Sequence, residues 1–302
     1  MEKVPQKLDR KRAEVYKDAP VAKFGERKPD YSGMGKKVKN VYKGFREVVC
    51  VSACRTPYGR FGGGLASFDA PELGALAIKE CIRRVSPKVK PEDIDYVLMG
   101  QVVPAGCGQV PSRQASILAG LPEWVPSITV NKVCSSGIKT VDLGVQMIKM
   151  GRADIIIAGG QESMSNCPFS LPGMRWGARM GLTTVPSVDL MVYDGLWDAF
   201  YNRHMAIHGS ETADEFGFTR EDQDEWALQS QKAAGEAIKA GRLDDEIFPV
   251  EVRQGKKVVV VDKDEFPRPD TTLEALAKLP PVFNHKSAVT GQPGSVTAGN
   301  AP

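Results

Sequence analysis

The chain has 302 residues, 42% of them apolar, and a formal net charge of +3. That length suffices for a substantial core and for two domains. No window approaches the 18 or more uninterrupted apolar residues of a membrane span, and the first thirty residues lack the apolar stretch of a secretory signal, so the sequence points to a soluble, cytoplasmic protein without a membrane partner.

The charge is unevenly spread: residues 1–45 hold 13 Lys/Arg against 6 Asp/Glu, a net of +7, leaving residues 46–302 at −4. The first 45 residues read as a solvated basic arm. Glu2, Asp9, Glu14 and Asp18 within it argue against a mitochondrial presequence. A slightly acidic body is a poor surface for nucleic acid, and no such partner is expected. The six cysteines form no C-x-x-C pair and only three histidines are present, so no metal site is expected. His204 and His208 are four residues apart but lie outside any H-E-x-x-H pattern. Scattered thiols in mostly apolar surroundings suit a reducing compartment.

From Arg46 onward, strand-like and helix-like runs alternate. "REVVCVSACRTP" reads as a valine-rich strand. "PELGALAIKECIRRV" reads as a helix with Gly74, Ile78, Cys81, Ile82 and Val85 on one face. "DYVLMGQVV" is a second strand, "PSRQASILAG" a short helix closed by Gly120, and "PSITVNKV" a third strand. "SSGIKTVDLGVQMIKMG" follows as a buried helix, its Ile138, Val141, Val145 and Ile148 recurring at 3, 4 and 3, and "ADIIIAGG" is another apolar strand. Strands separated by helices of this length define an α/β fold, a layered domain whose parallel strands are buried on both faces.

After Gly160 the rhythm breaks. "NCPFSLPGMRWGARMG" offers turn formers and bulky side chains without a period. A helix then starts at Thr219 with a T-x-x-D cap, places Trp226, Ser230, Ala233 and Ala237 on one face, and stops at Gly241. "KVVVVD" and a short helix around "TTLEALAKL" complete the pattern.

Cys134, in "NKVCSSGIKT", lies between a strand-type run and a helix-type run. A thiol at the first turn of a helix faces unpaired backbone N–H groups and the positive end of the dipole, which favour the thiolate. The same donors can cradle an oxyanion formed beside the sulfur. Cysteine is also a common small core residue, and the local pattern alone admits both readings.

The longer stretch "NKVCSSGIKTVDLGVQMIKMGRADIIIAGGQESMS" resembles the thiolase family. Matches to that family continue in order through "RTPYGRFGG", "QVPSRQASILAGLP", "DAFYNRHM", "LAKLPPVF" and "VTAGNA", from about residue 46 to the end. The resemblance implies a thiolase-like layered α/β core over residues 46–165, with Cys134 as the acyl-accepting nucleophile, and an inserted loop domain over 166–302 that covers coenzyme A. It implies a coenzyme A thioester as substrate, with no permanently bound cofactor. Two acetyl-CoA would condense to acetoacetyl-CoA, or a 3-ketoacyl-CoA would be cleaved by CoA, through one S-acyl-cysteine. By the same resemblance Leu196, His204, Met205, Arg268, Phe283 and Ala298 line the coenzyme A channel, and "PGMRWGARMG" is similar to the cationic loop of short-chain members.

Two departures stand out. The family continues past "TAGNA" into a second half that carries a catalytic histidine, an oxyanion-hole asparagine and a second cysteine. The chain is therefore expected to be a truncated form, or the nucleophile-bearing subunit of a hetero-complex, and family members also form homo-oligomers. A non-catalytic acyl-CoA-binding or assembly component of the same fold is the alternative. The stretch "NHKSAVTGQPGSVTAGN" is also longer than the family pattern, which loosens the register of Phe283 relative to Ala298.

Overall fold

The computed structural model describes residues 46–177, 185–288 and 290–301. The expected basic arm and the end of the cationic-loop stretch lie outside the described residues.

Helix α1 (Ala70–Val85) opens with Pro71 in its first turn, and the Glu72 carboxylate accepts from the Asp69 N–H at 2.8 Å. Its expected face is the one buried: Ile78 and Ile82 pack with Val97 and Met99 of β1 (Tyr96–Gly100), with Ala115 of α2 (Pro111–Leu118), and with Leu121 and Val125. Side chains of this kind, fully buried, contribute about 1.5–3 kcal/mol each. β1 is the middle of a three-stranded parallel sheet between β2 (Ser127–Val130) and β3 (Ile156–Gly160). Its register pairs Gly100 with both Val130 and Gly160, so all three strands end at one level. Helix α3 (Ser136–Lys149) returns from β2 across this sheet.

The region beyond β3 is built from short pieces. β4 (Phe169–Ser170) pairs with β5 (Val188–Asp189), helix α4 (Leu190–Gly195) follows, and β6 (Trp197–Asp198) pairs with β7 (Arg203–His204). Helices α5 (Met205–Phe216) and α6 (Arg220–Lys239) come next, then the hairpin of β8 (Val250–Gln254) and β9 (Lys257–Val261), and α7 (Leu273–Ala277). α6 carries the expected Thr219–Asp222 capping box. The β8–β9 hairpin returns to the other side of α1, where Val250, Val252 and Phe248 pack with Leu65, Leu73 and Leu76. Arg55 fastens that return: its guanidinium meets the Asp264 carboxylate in two bonds of 2.7 and 2.9 Å and Glu246 at 2.7 Å.

Two expectations need correction. Residues 46–54 join no ladder, and only Arg55 bridges, to Ile247; Val49 and Val51 stand 68% and 66% exposed. β propensity yields a strand only where a backbone partner and a covering face exist, and here neither meets this run. The apolar stripe of α3 is not buried, with Ile138 74% exposed. On α6 the stripe through Trp226 faces outward, and the inward side is fixed by buried Asp224, which accepts from Arg220 at 2.8 Å and from Asn300 at 2.9 Å. Among the described residues no helix is long and apolar enough to cross a membrane, and no group of three or more His, Cys, Asp or Glu could hold a metal ion.

Candidate active site

The level ends of three parallel strands make a floor, and ligands of open α/β sheets bind beyond such carboxyl ends. Here the floor opens into a cleft of about 940 Å³ lined by Gly100, Gly160, Glu162 and Cys134, with Tyr58, Phe61 and Phe266 at its sides. Cys134 is exposed to that cleft, not sealed in the core.

The chain reaches Cys134 through a sharp corner. Val133 has φ +50°, a left-handed conformation that a β-branched residue adopts only under constraint. Ser136, buried at the helix start, supplies part of the constraint: its hydroxyl donates to Val133 O at 2.6 Å and accepts from Lys132 N at 2.8 Å. The Thr140 hydroxyl lies 2.9 Å from Gly159 O and locks the first turn of α3 to β3. Helix and sheet approach so closely that a Cβ on Gly100 would stand 2.5 Å from the Ser136 carbonyl carbon. The Cys134 and Gly137 N–H groups donate to no protein acceptor among the described residues, and so remain available to an incoming oxygen. A thiol with free amide donors beside it is the arrangement that covalent acyl transfer requires.

The other thiols are differently placed. Burial pushes Cys107 up and Cys167 up to about 11. Cys54 also lines the cleft, but its contact with Cys81 and its burial hold it well above the usual thiol range, while it donates to Ala77 O at 3.3 Å. Cys81, favoured by Cys54, Ser52 and Arg84, is the depressed partner, and it lines a different groove.

The coenzyme A candidates fall into two places. Leu196, His204, Met205 and Phe283 come together: Met205 N donates to Leu196 O at 2.8 Å, and the His204 and Phe283 rings are 4.8 Å apart. His204 Nδ1 accepts from Ala206 N at 3.1 Å, and burial lowers its pKa. Ala298 is exposed, one residue past the Thr297–Pro281 bridge that runs beside Phe283. Arg268 lies apart and exposed, its N–H held by Gln231 at 2.7 Å. None of the six lines the Cys134 cleft, whose wall reaches only Phe266 and Pro267 next to Arg268. Sequence reasoning did not single out Gly100, Asn131 or Glu162. Glu162 lies in the cleft with its pKa raised by burial, despite hydrogen bonds from the Val102 and Val103 N–H groups. The glycine at the end of an apolar strand was the one signal that could have flagged Gly100.

A parallel α/β domain that presents an exposed thiol at a strand-to-helix corner defines the class: a layered α/β fold with a cysteine in the cleft at its strand ends. Within that class the family is shown by comparison. The family described as "Thiolase, N-terminal domain" matches residues 48–302, and the chain belongs to the thiolase family. It is 49% identical over 257 residues to an acetyl-CoA acetyltransferase of Pseudomonas aeruginosa, covering 85% of this chain and 63% of the relative. It is 50% identical over 256 residues to an acetyl-CoA acetyltransferase of Cupriavidus necator, covering 84% and 62%. A probable acetyl-CoA acetyltransferase of Escherichia coli is 47% identical, covering 85% and 62%. The chain thus spans a little over three fifths of the length of these curated relatives.

Proposed function

We propose that this chain takes an acyl group from a coenzyme A thioester onto Cys134, as the first half of an acetyl-CoA acetyltransferase reaction. The thiolate attacks the thioester carbonyl, the oxyanion is received by the Cys134 N–H, and collapse expels CoA thiolate to leave the S-acyl-cysteine. An acetyl-CoA carbanion then attacks that intermediate in the synthetic direction; in the degradative direction the intermediate arises from a 3-ketoacyl-CoA and CoA carries the acyl group away. The wall of Leu196, His204, Met205 and Phe283, with Ala298 beside it, is proposed to receive the pantetheine arm, and Arg268 the phosphate or adenine end. The reading places that receiving region in residues 166–302 and the nucleophile in 46–165. Proton transfers are assigned to the part of the relatives' length that the match does not reach, and the chain is proposed to act in a homo-oligomer or a hetero-complex. No permanently bound cofactor is needed by this scheme.

The observation that carries the reading is the exposed Cys134 thiol at the floor of the cleft with free amide donors beside it. The test is mass spectrometry of the chain after incubation with acetyl-CoA, with Cys134→Ala as control. An adduct of one acetyl group confined to the peptide containing Cys134 is expected. Measurable coenzyme A affinity without acetylation at Cys134 would instead mark a binding component.

A further inference from the structure

The corner that presents Cys134 is held by side chains that take no part in the scheme above. Asn131, directly after β2, bonds in two directions: its Nδ2 donates to Val102 O at 2.9 Å, and its Oδ1 accepts from Val133 N at 3.0 Å. The second bond closes an Asx turn onto the residue whose left-handed φ swings the chain towards Cys134. The first bond ties that turn to the segment following β1. That segment is gripped in turn by Glu162, just after β3, whose carboxylate accepts from Val102 N at 2.6 Å and Val103 N at 3.2 Å. The chain continuing from all three strand ends is thereby joined into one line of hydrogen bonds that ends next to the thiol. A left-handed Val133 persists only where its surroundings over-determine it, and this line over-determines it.

Resting on the reading of Cys134 as nucleophile, we propose that Glu162 and Asn131 are positioning residues forming one relay, in which Glu162 fixes Val102–Val103, these fix Asn131, and Asn131 fixes the Val133 corner that aims Cys134 into the cleft. Both act through backbone groups. Asn131 needs a donor and an acceptor on one short side chain, which no carboxylate or hydroxyl provides in that geometry. Glu162 needs two acceptor oxygens, which an amide does not have.

The test compares Asn131→Ala, Asn131→Asp, Glu162→Gln and the double variant Asn131→Ala/Glu162→Gln in the full chain. The readout is the rate of iodoacetamide alkylation at Cys134 divided by that at Cys50, the other exposed thiol, with circular dichroism melting as the folding control. Asn131→Ala should lower the ratio about tenfold, as expected for the loss of two hydrogen bonds. Asn131→Asp keeps the acceptor for Val133 N–H and should recover part of it, and it preserves the test if the alanine variant does not fold. Glu162→Gln should lower the ratio by a smaller factor, and the double variant should be no worse than the poorer single, because residues of one relay are not additive. A folded Asn131→Ala within about twofold of wild type, or losses that multiply in the double variant, would overturn the relay. Acetylation by acetyl-CoA separates the two claims: if wild type is not acetylated while the alkylation ratios behave as expected, the acyl-transfer reading falls and the relay stands. If Asn131→Ala is acetylated at the wild-type rate, the relay falls alone.

Discussion

Replacing Gly100 with alanine tests whether β1 ends in glycine so that the first turn of α3 can seat against it. The added Cβ would lie 2.5 Å from the Ser136 carbonyl carbon, 2.6 Å from Gly137 N and 2.7 Å from Ser136 O. Relaxed contacts between such atoms lie at about 3.5–4.0 Å, so the helix end must retreat by about 1 Å. All three atoms are backbone, and no rotamer change can absorb the clash. Nor can the shift dissipate locally, because Thr140 Oγ lies against Gly159 O and Ser136 Oγ is bonded into the Lys132–Val133 corner. Overpacking of this kind costs about 1–3 kcal/mol of stability. Displacing a reacting group by about 1 Å costs on the order of a hundredfold in rate, so the site should suffer more than the fold. Urea unfolding reads the first effect, and the rate of Cys134 acetylation by acetyl-CoA the second. Gly137→Ala is the stability control, since its Cβ would meet nothing within 4 Å. If Gly100→Ala unfolds within about 0.5 kcal/mol of wild type and labels Cys134 at an unchanged rate, the close seating of the helix is wrong.

Two further outcomes follow from the same geometry. Gly144, inside α3, would place a Cβ 3.4 Å from Ile156 Cγ2 and 3.8 Å from Ala158 Cβ, which is ordinary contact. Gly144→Ala should therefore stabilise by about 0.5–1 kcal/mol through helix propensity, seen as a higher urea midpoint, and a lower midpoint would show that the helix–sheet gap is already full. The Glu80 carboxylate, bonded by Arg83 and also by Arg84, is held down to about 2. A folded value below the unfolded one means that its contribution is complete above about pH 4.5 and lost as pH falls towards 2. Glu80→Gln should flatten the fall of the urea midpoint across that window and converge with wild type at its acid end; an unchanged slope would show that the pairs contribute nothing there.

How much of this was legible depends on what leaves a trace in one dimension. A 3.6-residue period does, so α1 and its buried face could be read from Gly74, Ile78 and Ile82. A cap does, so the start of α6 at Thr219 was visible. The place of Cys134 was visible too, because a strand run and a helix run meet there. The groups that aim it were not, since Glu162 reaches Val102 across sixty positions through backbone amides, and hydrogen bonds of that kind impose no spacing and no composition. The split of the coenzyme A candidates was equally hidden: a motif records which residues occur in order, not which wall each one joins.

The failures at residues 46–54 and at α3 have one physical origin. Val49 and Val51 of the expected strand, and Val141, Val145 and Ile148 of the expected buried helix face, line the same groove of about 530 Å³. The first run was read as a strand because it is rich in valine, and the second as a buried helix because it is apolar and periodic; those properties are present. Periodicity, however, states which residues would be buried together, whereas burial itself needs a second surface to exclude the water. Where α1 and α2 supply that surface against β1, the period predicts the core correctly; where no described segment supplies it, the same period marks an exposed apolar groove.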